Sequence, residues 1–160
     1  MTNDATPETS GVRFPPPLMY AGAVVAGLLV QRAEPLHLIS ARALPAFHVT
    51  AAVIAALGVL LSATAIRVFR KAGTSPIPIK PTTALTFDGP YRFTRNPMYL
   101  SLALVTLAIA LWFDVVWIAV ALIAVVLLID RSVIAREERY LERKFGEPYL
   151  AYKTRVRRWL

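Results

Sequence analysis

From Leu44 to Ile66 the chain carries no Asp, Glu, Lys or Arg, and this run constrains the fold more than any other feature. A helix needs about 20 apolar residues to cross the hydrocarbon core of a bilayer. Inside lipid, a single segment can satisfy its backbone N–H and C=O groups only as a helix. Composition supports the same solvent: across 160 residues 56% are hydrophobic and 18% charged, against roughly 25% charged in soluble domains. A soluble chain this short has too little interior to hide that much apolar side chain. Disorder, a coiled coil and a collagen-like fibre are excluded on the same grounds.

The expected fold is all-α: a polytopic integral membrane protein of about four transmembrane helices followed by amphipathic cytoplasmic helices. Residues 1–17, polar and then proline-rich, read as a mobile tail. They lack the basic region, short apolar core and small-residue cleavage site of a signal peptide. Residues 18–160 read as a single membrane domain with spans at about 18–31, 44–69, 98–113 and 115–134. The first is short, so it must start within the run Pro15-Pro16-Pro17 or draw on the interface. Proline costs little there, because an N–H in the first turn of a helix has no partner anyway. The last two spans are separated only by Asp114 and form a tight hairpin, with Trp112 and Trp117 suited to the water–lipid boundary.

Topology follows from the basic residues outside the spans. The tail, the second loop and the segment from Arg131 onward share one side and hold sixteen of the 18 Lys and Arg; the other side holds Arg32 and Arg42. The positive-inside rule places both termini, and any site built from these segments, in the cytoplasm. The net charge of +8 is thereby explained without a nucleic-acid partner. There are no cysteines, which excludes disulfides, thiolate metal sites and cysteine nucleophiles. No metal site, Ser/His/Asp set, P-loop or glycine-rich dinucleotide turn is present.

Residues 135–160 form the cytoplasmic C-terminal segment. Val133, Ile134, Leu141 and Phe145 recur at helical spacing among charges, as in an amphipathic helix continuing from span four. Gly146 caps that helix and Pro148 starts another. Tyr149, Tyr152, Val156 and Trp159 make a second stripe, which can lie in the headgroups or pack on the bundle. His48 within span two reads as a helix–helix hydrogen bond and His37 as an uninformative loop residue. Asp130 and Arg131 mark the end of span four, and Ala51, Ala52, Ala55, Ala56 and Gly58 read as close helix packing.

Two segments carry more chemistry than a scaffold needs. In Asp88-Gly-Pro-Tyr-Arg-Phe-Thr-Arg-Asn-Pro-Met-Tyr99, arginines and tyrosines converge on a helix N-terminus, with Asn96 as N-cap and Pro97 in the first turn. Free N–H groups and the helix dipole favour an anion there; capped positive-inside arginines are the plainer reading. In Arg136-Glu137-Glu138-Arg139-Tyr140-Leu141, both carboxylates border the apolar stripe, where a carboxylate needs a partner to ionise readily. Surface salt bridges, such as Glu138 to Lys144 or Arg131, are the plainer reading here.

Taken together, GPYRFTRNPMYL, a hydrophobic hairpin and EERYLERKFGEPYLAYKTRVRRW closely resemble the isoprenylcysteine carboxyl methyltransferase family, and more loosely the phosphatidylethanolamine N-methyltransferases. The likeness runs from about Gly73 to Trp159. It implies an integral-membrane methyltransferase that takes S-adenosylmethionine, yields S-adenosylhomocysteine, and holds the cofactor between the two segments on the cytoplasmic side. Cofactor binding is implied for Tyr91, Arg95, Asn96, Pro97, Tyr99, Glu137, Glu138 and Leu141, with Tyr149 and Tyr152 closing the pocket. Arg92, Arg95 and Glu138 are the implied catalytic residues. The chain departs from the family pattern at Asn96, where His is usual, and at Ser101, where Gly is usual. Asn keeps a donor and an acceptor but cannot titrate near neutrality.

Arg95 and the start of span three suit the cofactor's carboxylate, and Glu137 or Glu138 suits its ribose or its positive charge. Methyl transfer needs positioning and desolvation, not a covalent nucleophile. A lipophilic acceptor entering from the bilayer is the expected substrate: the carboxylate of an isoprenylcysteine-like molecule first, the amine of phosphatidylethanolamine as the alternative. A non-catalytic membrane scaffold is the reading from a different class.

Overall fold

The computed structural model describes residues 14–73 and 85–160. Residues 1–13 of the expected tail, and Lys80 in the second loop, lie outside the described residues. The described chain is helical throughout: α1 (Pro16–Ala33), α2 (Leu44–Lys71), a 3₁₀ turn (Gly89–Arg92), α3 (Pro97–Trp112), α4 (Val116–Leu128), a π turn (Ile129–Ile134), α5 (Ala135–Phe145) and α6 (Glu147–Arg155). Proline in the first turn of α1, α2, α3 and α6 sets where each begins, since its fixed φ suits a helix and its missing N–H is not needed there. Gly146, at φ 60°, separates α5 from α6; an L side chain is strained in that conformation.

The helices α1, α2 and α3 begin and end within two residues of the expected segments, whereas the last, expected to end at residue 134, continues to Phe145. The first helix does start inside the proline run, at Pro16. Among the described residues two helices are long and apolar enough to cross a bilayer: α2, and the continuous rod Val116–Phe145 formed by α4, the π turn and α5. At 1.5 Å per residue they extend about 42 and 45 Å, beyond the ~30 Å core. The 16-residue α3 reaches only about 24 Å, and α1 spends its last turn on Gln31 and Arg32. Of the four expected spans, two are therefore long and apolar enough to cross the core.

α2 packs on α3, α3 on α4 and α4 on α1. Glycine permits two of these contacts. A Cβ on Gly27 would lie 2.6 Å from the backbone of Ile118, and one on Gly58 would lie 3.1 Å from the Ser101 carbonyl. Small residues at the interface bring helices close enough for dispersion to hold them in a solvent as apolar as their side chains. Ala51 is buried in the same way, whereas Ala52 and Ala56 face outward. Outward too are Val25, Leu28 and Leu29 on α1, Val49, Val53, Leu57 and Leu60 on α2, and Val120, Ile123 and Leu127 on α4. So broad an apolar exterior is stable against lipid and unstable against water.

Two apolar clusters lie inside. Tyr20, Tyr99, Leu122, Ile129, Val133 and Ile134 form the one at the arginine-rich end; Ala110, Val115 and Ile118 form the one beside the α3–α4 hairpin. The hairpin turns at Asp114, whose φ is 49°.

Candidate active site

Three pieces of chain meet at the arginine-rich end: the segment before α3, the helix α5, and the tail after α6. The tail is held by backbone chemistry. Arg95 N–H donates to the Arg157 carbonyl (3.0 Å), while Thr94 Oγ1 (3.1 Å) and Asn96 Nδ2 (2.9 Å) both donate to the Arg158 carbonyl. Asn96 thus occupies the N-cap position of α3 without capping it by side chain. The expected cap gives way because the amide is committed to the tail, and Thr94 Oγ1 accepts the Asn96 N–H instead.

That clamp delivers Arg158 to Glu138. Arg158 Nε reaches Glu138 Oε1 (3.1 Å) and Nη2 reaches Oε2 (2.6 Å), a two-point fork of the strong, geometrically specific kind. Arg95 Nη2 approaches Glu138 Oε1 from the other side at 3.2 Å. Glu138 is 5% exposed, so the surface pairing with Lys144 or Arg131 does not occur. Lys153 lies 4.0 Å from Glu138 and is paired more closely with Glu142, at 2.5 Å. The Arg158 guanidinium is held further in its charged form by its bond to Glu138, against the opposing effect of burial.

Arg95 has donors to spare. Its side chain is 9% exposed, and Nε and Nη1 have no acceptor among the described residues. A buried guanidinium with two donor nitrogens unused is costly unless an acceptor arrives.

Glu137, next in sequence to Glu138, has a different environment. Tyr99 Oη donates to its Oε1 at 2.8 Å. Glu137 lies beyond the apolar part of the rod, and burial raises its carboxyl to about 7, opposed by the Tyr99 bond and assisted by Glu138. The residue as a whole is half-buried, with its carboxyl enclosed.

Tyrosines line the remainder. Tyr91, Tyr99, Tyr149 and Tyr152 are all buried. Tyr152 Oη donates to the Tyr91 carbonyl at 2.8 Å, Phe87 packs on Tyr152, and Phe69 meets Tyr91 edge-on. Burial pushes the Tyr91 and Tyr149 phenols up and lifts Tyr152 to about 12, with Arg95 opposing the rise in the last two. These three therefore remain neutral hydroxyls at physiological pH and cannot serve as bases there. The stripe of Tyr149, Tyr152 and Trp159 packs on the bundle.

The structure brings together Tyr91, Arg95, Asn96, Pro97, Tyr99, Glu137, Glu138, Tyr149 and Tyr152 of the expected residues. Leu141 is half-buried on α5, and Arg92 is exposed on the 3₁₀ turn, outside the cluster. Sequence reasoning missed Arg158 and Asp130. Asp130 accepts from Arg158 Nη1 (3.1 Å) and Trp159 Nε1 (2.8 Å), so it does more than end a span. The only signal for Arg158 was an Arg-Arg-Trp sequence after the tyrosine stripe, and the pairing itself had no local trace.

At the opposite end, His48 Nε2 lies 3.2 Å from the Trp112 carbonyl and its ring stacks on that indole, the helix–helix role expected of it. His37 is not idle: its Nδ1 lies 3.4 Å from Asp114 Oδ2.

Comparison with known proteins adds three findings. The sequence profile of the family described as phospholipid methyltransferase matches residues 46–148. A stretch of 63 residues, 39% of this chain, is 52% identical to an uncharacterized protein of Haemophilus influenzae over that protein's whole length. No solved structure shows a significant match.

Proposed function

From a chain that belongs to the phospholipid methyltransferase family, and so is an S-adenosylmethionine-dependent methyltransferase acting on a membrane-associated, lipophilic substrate, we propose transfer to the amine headgroup of a phospholipid. Family membership favours this acceptor over the isoprenylcysteine carboxylate that the motifs alone put first.

The observation that carries the cofactor reading is Arg95. Its two buried donors without acceptors fit the carboxylate of S-adenosylmethionine, and Glu138 beside them fits the cationic sulfonium or the ribose hydroxyls. The cofactor, when bound, supplies an electrophilic methyl group. Tyr91, Tyr149 and Tyr152 wall the site and keep water out. The basic segments on this side of the bundle support a cytoplasmic placement of the site and both termini.

An amine headgroup arrives protonated and needs its lone pair to attack. Glu137, poised near neutrality and held at Oε1 by Tyr99, is suited to take that proton. A carboxylate acceptor would need no base. It would want a guanidinium, and Arg95 offers one, which makes the carboxylate the second reading.

Calorimetric titration of the detergent-purified protein with S-adenosylmethionine and S-adenosylhomocysteine tests the cofactor. Saturable binding is expected, and its absence from folded protein would leave the scaffold reading. Labelled methyl transfer to phosphatidylethanolamine, set against a prenylcysteine analogue, tests the acceptor. Labelling of the analogue alone would reverse the assignment.

A further inference from the structure

The proposed chemistry leaves Asp130 unused, although its carboxylate is engaged at both oxygens by the C-terminal tail. Its position depends on the π turn Ile129–Ile134. On a regular helix, at about 100° per residue, a residue eight positions further on points about 80° away. A π turn absorbs one extra residue, which brings Asp130 and Glu138 to within about 20° of one line. One guanidinium can then bridge both, and Arg158 does: Nη1 to Asp130 at 3.1 Å and Nη2 to Glu138 at 2.6 Å.

Charge balance gives the bridge a purpose. Glu138 faces two guanidiniums, Arg95 and Arg158, while Lys153 is matched by Glu142. One carboxylate against two guanidiniums would present a net positive surface. Asp130 restores the second negative charge.

We propose that Asp130 is a positioning residue which, by sharing the Arg158 guanidinium, leaves Glu138 with enough negative field to favour a sulfonium cation over a neutral thioether. This rests on the cofactor reading above. Without Asp130, Arg158 collapses wholly onto Glu138 and neutralises it. With Arg158 removed instead, the field at Glu138 grows more negative.

S-adenosylmethionine and S-adenosylhomocysteine differ at the site by that one positive charge, so the ratio of their affinities reads the field directly. A structural role alone would lower both affinities together. Titration of the full chain in detergent should show Asp130→Asn lowering affinity for S-adenosylmethionine relative to S-adenosylhomocysteine by roughly three- to tenfold, the scale of one charge acting across several ångströms of partly screened protein. Arg158→Gln should move the ratio the opposite way. Trp159→Phe, which removes the indole bond to Asp130 and leaves the charge, should leave the ratio unchanged.

An unchanged ratio in Asp130→Asn, or a fall in Arg158→Gln, overturns the proposal. If Asp130→Asn does not fold, the direction of the Arg158→Gln shift decides alone. Wild-type protein that binds neither ligand overturns the cofactor reading itself, a result distinct from binding with an unaltered ratio.

Discussion

The two ends of the bundle each bury a carboxylate, and they use it differently. At the hairpin end Asp114, 8% exposed, accepts the backbone N–H groups of Leu38 and Ile39 at 3.2 Å each, with His37 beside it. Trp117 Nε1 donates to the Glu34 carbonyl and pins the same loop. Asp114 is thus spent on main-chain donors, and the loop before α2 is tied to the turn after α3. Among the described residues one buried acceptor there, Gln31 Oε1, lacks a partner, but no buried charged group does. At the arginine-rich end Glu138 is spent on side-chain cations, one of which retains two free donors. A carboxylate saturated by neutral backbone donors fixes a loop. One that holds down cations with donors left over leaves hydrogen-bonding capacity that a ligand can take up.

The comparison breaks most visibly at Glu138. Glu138→Gln leaves Arg95 buried without a full counter-charge, a loss of about 3–5 kcal/mol in stability, measurable by thermal unfolding in detergent. Where the variant folds, S-adenosylmethionine binding should also weaken by roughly 1–3 kcal/mol, and an unchanged dissociation constant would remove Glu138 from the site.

Asp114→Ala supplies the contrast. Two part-buried N–H groups lose their acceptor, at a cost of about 1–3 kcal/mol, and affinity for S-adenosylhomocysteine should stay as in the wild type. A parallel loss of affinity would mean that the two ends are not independent.

Glu137 has a folded-state pKa of about 7 against an ordinary value of 4.5. Its raised value gives stability that is fully present below pH 4.5 and lost as pH rises toward 7, because only the unfolded chain ionises freely over that window. Glu137→Gln removes the loss. Its melting temperature relative to wild type should therefore rise from pH 4.5 to pH 8, by the equivalent of about 3 kcal/mol. Wild-type activity should rise through the same range as the base ionises. A flat difference between the two proteins would return Glu137 to an ordinary exposed carboxylate.

The smallest effect is expected at His48→Phe, which keeps the stack on Trp112 and gives up one hydrogen bond. The cost should be below about 1 kcal/mol, read as a slight fall in melting temperature with methyl transfer unaffected.

Much of the candidate site was legible because its parts are local. Pro97 marks the start of a helix, Glu137 and Glu138 border an apolar stripe, and Gly146-Glu-Pro-Tyr gives a break followed by a new helix. Each reading needs only a few consecutive residues and the helical period. Arg158 and Asp130 were not legible in the same way. Arg158 stands twenty residues from Glu138 and reaches it only because Thr94, Arg95 and Asn96 hold the tail across the bundle. Arg92 and Arg95 look equivalent in sequence. The 3₁₀ turn at Gly89–Arg92 leaves the first in solvent and the second inside.

The sequence by itself determined that the chain is helical, that it holds helices apolar and long enough to span a membrane, and, to within two residues, where α1 to α4 start. Hydropathy, proline and glycine act over a few residues, so their consequences do not depend on the rest of the fold. The tertiary structure alone decided which carboxylate meets which cation, that Asn96 binds the tail and does not cap α3, and that a π turn aligns Asp130 with Glu138. Those outcomes depend on distances between segments remote in sequence, and only packing sets such distances.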